Sequence, residues 1–379
     1  MNKNKEKYEI AFIILFSALI IFVSLATLIK EPQEFSENEG RALVGLPDIS
    51  PETLWSGEYF SGIRDFYTDQ LYLKSSFTNI YAYSRLALLS HEINSIVICN
   101  NGALAARPDK ADTAILKKNL DAAQNLCTYS SSAVLFVVPD SIRVFSKELP
   151  YPLSKAVESE YESAVYNEDF SQKILDSPEK YYYKTDHHWT SAGAYEAYRS
   201  ICDELAVVAL DEKDFERQSV TQSFFGSSYR RSSLPRTAVT ADEITLYRHP
   251  YDSFLKVTDL QTQIELGGIY DLEEIFGADP YRVFLGGNHA HISVTLENDE
   301  ERPRMLMIKD SFANSLVPFL ALHYDLEIVD PRYADMSVAE AIGNADRFDA
   351  VLFLCSEQTL SSEQKYAFFI NSLDKTDKP

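Results

Sequence analysis

Cysteine, histidine and tryptophan are scarce in this sequence, and the cysteines show no motif spacing. The four cysteines (Cys99, Cys127, Cys202 and Cys355) form no C-x-x-C pair, which argues against a zinc ribbon or a redox dithiol. Three of them lie in or beside apolar runs, so we expect buried thiols and no obligatory disulfide. With only seven histidines and two tryptophans in 379 residues, the stretch KTDHHWTSAG (184–193) is unusual.

Positive charge is also scarce. The chain has 35 Lys and Arg against 57 Asp and Glu, a formal net charge of -22. Such a field repels polyanions, so nucleic-acid binding is excluded as a function class. The chain is 45% hydrophobic, which at this length is sufficient for a packed globular core.

One long uncharged run lies near the N-terminus. Residues Ile10–Ile29 (IAFIILFSALIIFVSLATLI) carry no charge. At about 1.5 Å per residue they span roughly 30 Å, the thickness of a bilayer's hydrocarbon core. Lys3, Lys5 and Lys7 precede the run, and an acidic segment follows Lys30. The positive-inside rule therefore places the N-terminus in the cytoplasm and the rest of the chain outside it.

A cleavable signal peptide is the competing interpretation, because Ser24-Leu25-Ala26 is an acceptable small-x-small cleavage site. The apolar run is longer than the usual signal h-region of about 7–15 residues, so we favour an uncleaved anchor. The predicted organisation is a cytoplasmic tail (1–9), a transmembrane anchor (10–29), a polar tether (30–50) and one extracytoplasmic domain (51–379).

Beyond the tether, short β-rich apolar runs alternate with longer amphipathic segments. Strands are predicted at Ser95–Cys99, Ala133–Val138, Tyr281–Leu285, Met305–Ile308, Leu326–Val329 and Ala350–Leu354. Helices are predicted at Asp112–Cys127, Leu153–Asn167, Ser191–Leu205, Ser311–His323 (kinked at Pro318), Ser337–Asn344 and Ser361–Leu373. This alternation is typical of an α/β fold whose parallel sheet is covered on both faces.

Chemistry in such folds gathers at the carboxyl ends of the strands. Residues 209–280 contain mixed polar runs and are predicted to be an insertion over that edge. The stretch RMLMIKDSFANS (304–315) places Ser311 at a strand-to-helix turn, where its hydroxyl and the free N–H groups of the first helical turn suit a nucleophile and an oxyanion site. The alternative is that Ser311 or Asp310 is simply a helix N-cap.

The stretch TDHHWT supplies the other groups that a serine nucleophile needs. Asp186 and His188, two residues apart in a loop before the predicted helix, have the spacing of an orienting carboxylate and its base. His187 is then expected to point away from Asp186 and His188, toward solvent or another partner. Two alternatives remain open: a metal site that joins these residues to His289 and His291, and structural packing of His188 with Trp189.

Two further segments are candidates for contact with the substrate. VFLGGNHAH places Gly287 and Asn288 at the end of a predicted strand, where Gly permits close backbone approach and the Asn amide can donate to an oxyanion. A tight turn explains the same residues equally well. Arg231 and Arg332, with Arg230, can orient a polar substrate.

The combination of TDHHWT with the later IKDSFANS, DQL, FLGGNHA and DPRY resembles the DHHW protein family, SGNH-hydrolase-like proteins related to the catalytic domains of alginate O-acetyltransferases. The resemblance runs from ENEGRAL (37–43) to the last predicted helix. It implies a three-layer sandwich with a mostly parallel central sheet. It also implies that Asp186 orients, His188 is the base and Ser311 is the nucleophile. Lys309 departs from the glycine of GDS-type hydrolases, which affects the expected oxyanion geometry.

The function that the resemblance implies is transfer of acetyl groups to a cell-surface polysaccharide, with a multi-spanning membrane O-acyltransferase as the partner that supplies them. No nucleotide or metal cofactor is expected. A carbohydrate acetylesterase with the same triad is the first alternative, because only the exclusion of water separates transfer from hydrolysis. A non-catalytic polysaccharide-binding or assembly protein is the second.

Overall fold

The computed structural model describes residues 3–36, 41–108, 112–128, 130, 132–152, 167–297, 301–343 and 348–373. The chain forms two compact units. The first comprises Met1–Ser90 and Arg230–Pro235, and the second comprises His91–Tyr229 and Arg236–Pro379.

The first unit is mainly helical. Its elements are α1 (Lys3–Ile29), the ribbon of β1 (Phe35–Ser36) and β2 (Arg41–Ala42), α2 (Pro51–Ser56), α3 (Glu58–Gln70) and α4 (Lys74–Ala87). Residues Lys7–Ile29 of α1 are long and apolar enough to cross a membrane, with a mean hydropathy of 2.9. The break between α3 and α4 includes Leu73 at φ 62°, a left-handed conformation that interrupts the helical pattern.

The second unit is built on a seven-stranded sheet among the described residues, in the order β10-β9-β11-β13-β12-β14-β6. Its strands are β6 (Ala133–Val138), β9 (Leu255–Asp259), β10 (Ile264–Glu265), β11 (His291–Leu296), β12 (Arg304–Lys309), β13 (Asp325–Val329) and β14 (Ala350–Ser356). The pairs β13-β12, β12-β14 and β14-β6 are parallel, whereas β10, β9 and β11 join antiparallel. The sheet is therefore mixed, and the prediction of a mostly parallel sheet holds only for one half.

Two predicted strands differ from the structure. Tyr281–Leu285 is not a strand but overlaps the 3-10 turn Pro280–Val283, because the chain then turns through left-handed φ values of 63°, 71° and 111° at Leu285, Gly286 and Gly287. The next strand of the central sheet, β11, begins at His291, after this turn. The segment Ser95–Cys99 does form β4 (Ile96–Ile98), but in a separate antiparallel sheet between β3 (Glu92–Ile93) and β5 (Leu104–Ala106).

Helices of the second unit and its junction with residues 230–232 are α5 (Thr113–Leu126), α6 (Ser141–Val144), α7 (Glu168–Asp176), α8 (Pro178–Tyr181), α9 (Ser191–Glu204), α10 (Ser227–Ser232), α11 (Val317–Leu320), α12 (Met336–Ile342), α13 (Glu357–Ser362) and α14 (Lys365–Leu373). The predicted helix Ser311–His323 is a 3-10 turn, Ser311–Ser315, followed by α11. Pro318 lies in the first turn of α11 and so begins a helix instead of kinking one. The predicted helix Leu153–Asn167 lies outside the described residues up to position 166.

Side chains alternate between two cores along the central strands. Met305 and Met307 pack with α9 and α11 on one face, whereas Leu306 and Ile308 pack with α5, α12 and α14 on the other. Helices therefore cover both faces of the sheet, as predicted. Residues 209–280 contain an antiparallel ribbon of β7 (Glu216–Phe224) and β8 (Asp242–Arg248), followed by β9 and β10 of the central sheet.

Candidate active site

The carboxyl end of β12 presents Ser311. The preceding residue, Asp310, is the N-cap of the 3-10 turn: its Oδ1 accepts from the N–H of Phe312 at 3.0 Å. Its Oδ2 accepts from the N–H of Ser356 at the end of β14, at 2.8 Å. Because Asp310 satisfies the turn, the Ser311 hydroxyl is left for another partner.

That partner is His188. Its Nε2 lies 2.8 Å from Ser311 Oγ, and its Nδ1 lies 2.6 Å from Asp186 Oδ1. The backbone N–H of His188 also donates to Asp186 Oδ1 at 2.9 Å, so one carboxylate oxygen fixes both the main chain and the ring. The structure thus brings together the three residues that the sequence analysis selected, across 123 positions of sequence.

The Asp186 carboxyl group is buried, with 1% of the residue exposed. Burial alone would raise its pKa, but the imidazoles of His188 and His187 and the bond from the Ser227 N–H hold the pKa well below its usual range. The Ser227 N–H donates to Asp186 Oδ2 at 2.6 Å. An ionised Asp186 only accepts, so the proton on the imidazole lies at Nδ1 and leaves Nε2 free to accept from Ser311.

Close backbone approach makes this arrangement possible. A Cβ on Gly226 would lie 2.3 Å from both Cβ and Oδ2 of Asp186, so only glycine fits there. On the other side, Asp242 accepts from the N–H groups of Lys184 and Thr185 at 2.9 and 2.7 Å and from the Thr185 hydroxyl at 2.6 Å. These contacts hold the turn before Asp186.

Aromatic side chains position the His188 ring. It stacks on Tyr281, with ring centroids 3.9 Å apart and planes 5° from parallel, and meets the edge of Phe312 at 4.9 Å. The fully buried indole of Trp189 donates to the Phe312 carbonyl at 3.0 Å and to Ser315 Oγ at 2.8 Å. Trp189 therefore has the packing role of the structural alternative, whereas His188 contacts Ser311.

His187 faces Ser227. Its Nδ1 lies 2.6 Å from Ser227 Oγ, so it has a separate partner as expected. The prediction that it points away from Asp186 and His188 is wrong, because Nδ1 lies 3.5 Å from Asp186 Oδ1 and the two imidazole centroids are 3.8 Å apart. Asp186, His187 and His188 offer ligand atoms within 4.8 Å of one another, a set that can hold a metal ion.

The predicted contribution of His289 and His291 to a metal site is not formed. His289 Nε2 lies 2.8 Å from the Leu285 carbonyl, and His291 Nε2 lies 3.0 Å from Glu327 Oε1. The His289 ring therefore contacts the backbone of the turn at Leu285, and the His291 ring contacts a side chain of β13. Of the metal hypothesis only the Asp186-His187-His188 set remains, and its atoms are engaged in the hydrogen bonds with Ser227 and Ser311 described above.

A second polar group surrounds Asn288, which follows Gly287 in the left-handed turn. Asn288 Oδ1 accepts from Lys309 Nζ at 3.3 Å and from Asn314 Nδ2 at 3.0 Å. Lys309 Nζ also donates to Asn314 Oδ1 at 2.6 Å, which fixes which way the Asn314 amide points. Asn288 is exposed, and because its Oδ1 accepts from two donors, its amide Nδ2 is the atom that can donate to another group.

Lys309 is the buried centre of this network, with 1% of the residue exposed. Burial lowers its pKa to about 8, opposed by the Asp330 carboxylate, whose Oδ2 lies 3.7 Å from Nζ. The glycine position of GDS-type hydrolases is thus occupied here by a lysine that organises two amide side chains.

Of the predicted substrate arginines, Arg332 shares the Asp330 carboxylate with Lys309. Arg332 forms two bonds to Asp330, at 2.9 and 2.6 Å, so its guanidinium is committed to a carboxylate at the end of β13. Arg231 is exposed on α10, in the part of the chain assigned to the first unit. A role for Arg231 or Arg332 in binding the substrate stays a prediction.

Sequence reasoning missed four contributors: Tyr281, Ser227, Gly226 and Asn314. Tyr281 was assigned to a strand, and Gly226 and Ser227 to an insertion. Asn314 follows Lys309 by five residues, but the burial of Lys309, which requires a polar partner for its ammonium group, is a property of the fold. The contacts of Gly226 depend on the tertiary fold and had no local signal.

The model of the DHHW protein family matches residues 154–329. Over this region the chain is similar to the DHHW family. Asp186, His188, Asn288 and Ser311 all lie within the matched region. No curated protein matches the sequence.

Several solved structures are similar to this chain. A DHHW family protein from Eubacterium siraeum is 22% identical, with a TM-score of 0.58 over 74% of this chain and 96% of that one. PatB1 of Bacillus cereus, solved with a sulfonyl adduct, is 19% identical, with a TM-score of 0.54 over 71% and 96%. The O-acetyltransferase domain of Pseudomonas putida AlgJ is 15% identical, with a TM-score of 0.42 over 73% and 99%.

Proposed function

We propose that this chain is a membrane-anchored, extracytoplasmic O-acetyltransferase that modifies a polysaccharide through Ser311, His188 and Asp186. One observation carries the proposal: His188 lies between the Ser311 hydroxyl at 2.8 Å and the Asp186 carboxylate at 2.6 Å. Hydrogen-bond reach from nucleophile to base and from base to orienting carboxylate is the requirement for an activated serine.

The first half-reaction forms an acyl-enzyme. Ser311 Oγ attacks the carbonyl carbon of an acetyl ester while its proton passes to His188 Nε2. The bond from the carbonyl carbon to the donor oxygen then breaks, and the leaving oxygen takes the proton from His188. Asp186 stays ionised throughout and stabilises the imidazolium that forms in between.

The second half-reaction transfers the acetyl group. A sugar hydroxyl gives its proton to His188 Nε2 and attacks the acetyl carbon, and Ser311 Oγ leaves and recovers that proton. The backbone N–H of Ser311 and the Nδ2 of Asn288 are the proposed donors to the oxyanion in both steps. No nucleotide or metal takes part in this sequence.

The location and the partner are further parts of the proposal. The apolar α1 anchors the chain, and the domain after it lies outside the cytoplasm. Since acetyl-CoA is not expected there, the acetyl group must reach Ser311 through the membrane. A multi-spanning membrane O-acyltransferase is the class of partner that the family resemblance implies.

Product analysis separates the proposed activity from its alternatives. The full chain is incubated with an activated acetyl ester, with and without an acceptor oligosaccharide. A transferase acetylates the sugar, whereas an acetylesterase with the same triad releases only acetate. A non-catalytic binding protein yields neither product above the level of Ser311→Ala, and its affinity for the glycan does not change in that variant.

A further inference from the structure

The helix α4 presents an apolar stripe to solvent. Leu73, Phe77, Ile80, Tyr81 and Leu88 are exposed by 47%, 41%, 65%, 47% and 77%. At about 100° per residue Phe77, Ile80 and Tyr81 fall on one face of α4, and Leu73 and Leu88 flank the helix at its two ends. Ala82, on the side of α4 away from the stripe, is fully buried. A contiguous apolar stripe of this kind marks an interaction surface.

The charge of this segment differs from that of the rest of the chain. Leu71–Ser90 contains no Asp or Glu, although the chain has 57 of them, and its charged residues are Lys74 and Arg85. A water-facing surface of so acidic a protein is expected to carry carboxylates. An apolar face flanked by Lys and Arg, with no acid, is the composition of a helix that lies against lipid headgroups.

The start of α4 is held beside the end of α1, within the first unit. The N–H of Tyr72 donates to Thr27 Oγ1 at 3.0 Å, and its ring meets Phe22 edge-on with centroids 6.1 Å apart. The hydroxyl of Tyr67 donates to the Ser24 carbonyl at 3.4 Å. Thr27 is only 1% exposed, so these are packed contacts.

The DQL motif strengthens the connection. Gln70 accepts from the Gln33 N–H at 3.0 Å, and its amide donates to the carbonyls of Gln33 and Val44 at 2.7 and 3.2 Å. Asp69 Oδ2 accepts from the Val44 N–H at 2.9 Å. Both side chains are buried, so the segment that follows α1 is fastened to the end of α3.

These contacts set the depth of α4. Thr27 and Phe22 lie about 3 Å and about 10 Å before the end of α1 at Ile29. If α1 crosses a bilayer, Tyr72 therefore lies at the outer boundary of the hydrocarbon, where tyrosine is enriched. The helix that begins two residues later, at Lys74, must start at the membrane surface.

We infer that α4 lies in the lipid–water interface of the membrane that α1 crosses, with its apolar stripe against the acyl-chain boundary. The occupant of the stripe is thus lipid and not a second protein. This inference rests on the proposed membrane anchorage of α1 and is independent of the chemistry at Ser311.

The test uses the full chain in phosphatidylcholine vesicles with lipids brominated on their acyl chains. Trp55, which is 95% exposed, is replaced by Phe, and Trp189, which is fully buried, remains as a constant background. Tryptophan is then introduced as Ile80→Trp or Tyr81→Trp on the stripe, and as Asn79→Trp, an exposed control on another face of α4. Flotation of the vesicles measures insertion of α1 separately.

The expected result is a blue-shifted emission and quenching at least about twofold stronger for both stripe variants than for Asn79→Trp. Equal quenching at the three positions, in protein that floats with the vesicles, would overturn the inference while leaving the anchor intact. A blue shift without quenching would also overturn it, since protein and not lipid would then cover the stripe. Protein that does not float would remove the anchor and the interfacial helix together, without bearing on the activity of Ser311.

Discussion

The imidazole of His188 lies flat against the phenol ring of Tyr281, with centroids 3.9 Å apart and planes 5° from parallel. The Tyr281 hydroxyl is close to the Ser311 carbonyl at 3.3 Å and to Ser315 Oγ at 3.2 Å. Tyr281 thus contacts both the proposed base and the turn that carries the proposed nucleophile. Its ring fixes one face of the imidazole that has to move a proton between two oxygens.

Tyr281→Phe and Tyr281→Ala separate the two contributions of this residue. The Phe variant keeps the stacked ring and loses hydrogen bonds that are each worth about 1 kcal/mol, so kcat is expected to fall by less than about tenfold. The Ala variant leaves a cavity beside His188 that costs about 3–5 kcal/mol, and kcat falls much further. Steady-state kinetics and denaturant unfolding measure both effects. Equal kcat in the two variants would show that stacking does not orient His188.

Gly226→Ala tests the close approach to Asp186. The new Cβ would lie 2.3 Å from two atoms of that side chain, so the carboxylate has to shift. We expect a loss of about 1–3 kcal/mol of unfolding free energy from overpacking and a drop in kcat of about 100-fold from the misplaced triad. Gly45→Ala is the matched control, since a Cβ there meets nothing within 4 Å. Unchanged kcat in Gly226→Ala would contradict the assigned geometry.

Lys309→Met tests whether Lys309 acts by orienting Asn288. Removal of the proposed oxyanion donor in Asn288→Ala is expected to lower kcat by about 100- to 1,000-fold. Lys309→Met should lower kcat less, because the amide remains but loses the donor that fixes its orientation. The double variant Lys309→Met/Asn288→Ala should then have nearly the same kcat as Asn288→Ala, since both substitutions act through the Asn288 amide. Fully additive losses in the double variant would exclude this coupling.

The buried pair of Asp140 and Glu357 predicts a pH dependence of stability. Burial raises the pKa of Glu357 to about 7, although Arg143 and the Asp140 N–H oppose it, and burial likewise raises the pKa of Asp140. Because the folded state binds more protons than the unfolded state between the usual value of 4.5 and about 7, the unfolding free energy falls as pH rises through that window.

In the wild type the Asp140 N–H donates to Glu357 Oε2 at 2.9 Å. Glu357→Gln removes the titrating carboxyl group but keeps a side-chain oxygen that can accept this hydrogen bond. Denaturant unfolding at about pH 5 and about pH 8 should show a smaller decrease in stability for the variant than for the wild type. An equal decrease in both proteins would mean that Glu357 titrates at its ordinary value.

Residue spacing and local hydrophobic pattern predicted the three residues of the proposed triad. The spacing of Asp186 and His188 and the strand before Ser311 were sufficient to select three residues that do meet. The sequence also indicated helices on both faces of the sheet. Periodicity did not identify β9 and β10 as members of the central sheet, because the hairpin that they form joins the sheet through the pairing of β9 with β11, which is distant in the sequence.

The remaining contacts are tertiary. Asp310 and Ser311 both suit an N-cap, and the neighbouring β14 decides between them by supplying the Ser356 N–H to Asp310. The turn at Leu285–Gly287 replaces a predicted strand because the side chains of Lys309 and Asn314 hold Asn288 just after it. Neither the choice of N-cap nor the turn can be predicted from the local sequence alone.

The central claim is that Ser311 is a nucleophile activated by His188. The most direct measurement is the intact mass of the full chain after brief exposure to an activated acetyl ester, for the wild type, Ser311→Ala and Ser191→Ala. Ser191 is a suitable control because its buried hydroxyl has no hydrogen-bond partner among the described residues. The account predicts one acetyl adduct on the wild type and on Ser191→Ala, and none on Ser311→Ala. Folded wild-type protein without an adduct, or an adduct that persists in Ser311→Ala, would contradict it.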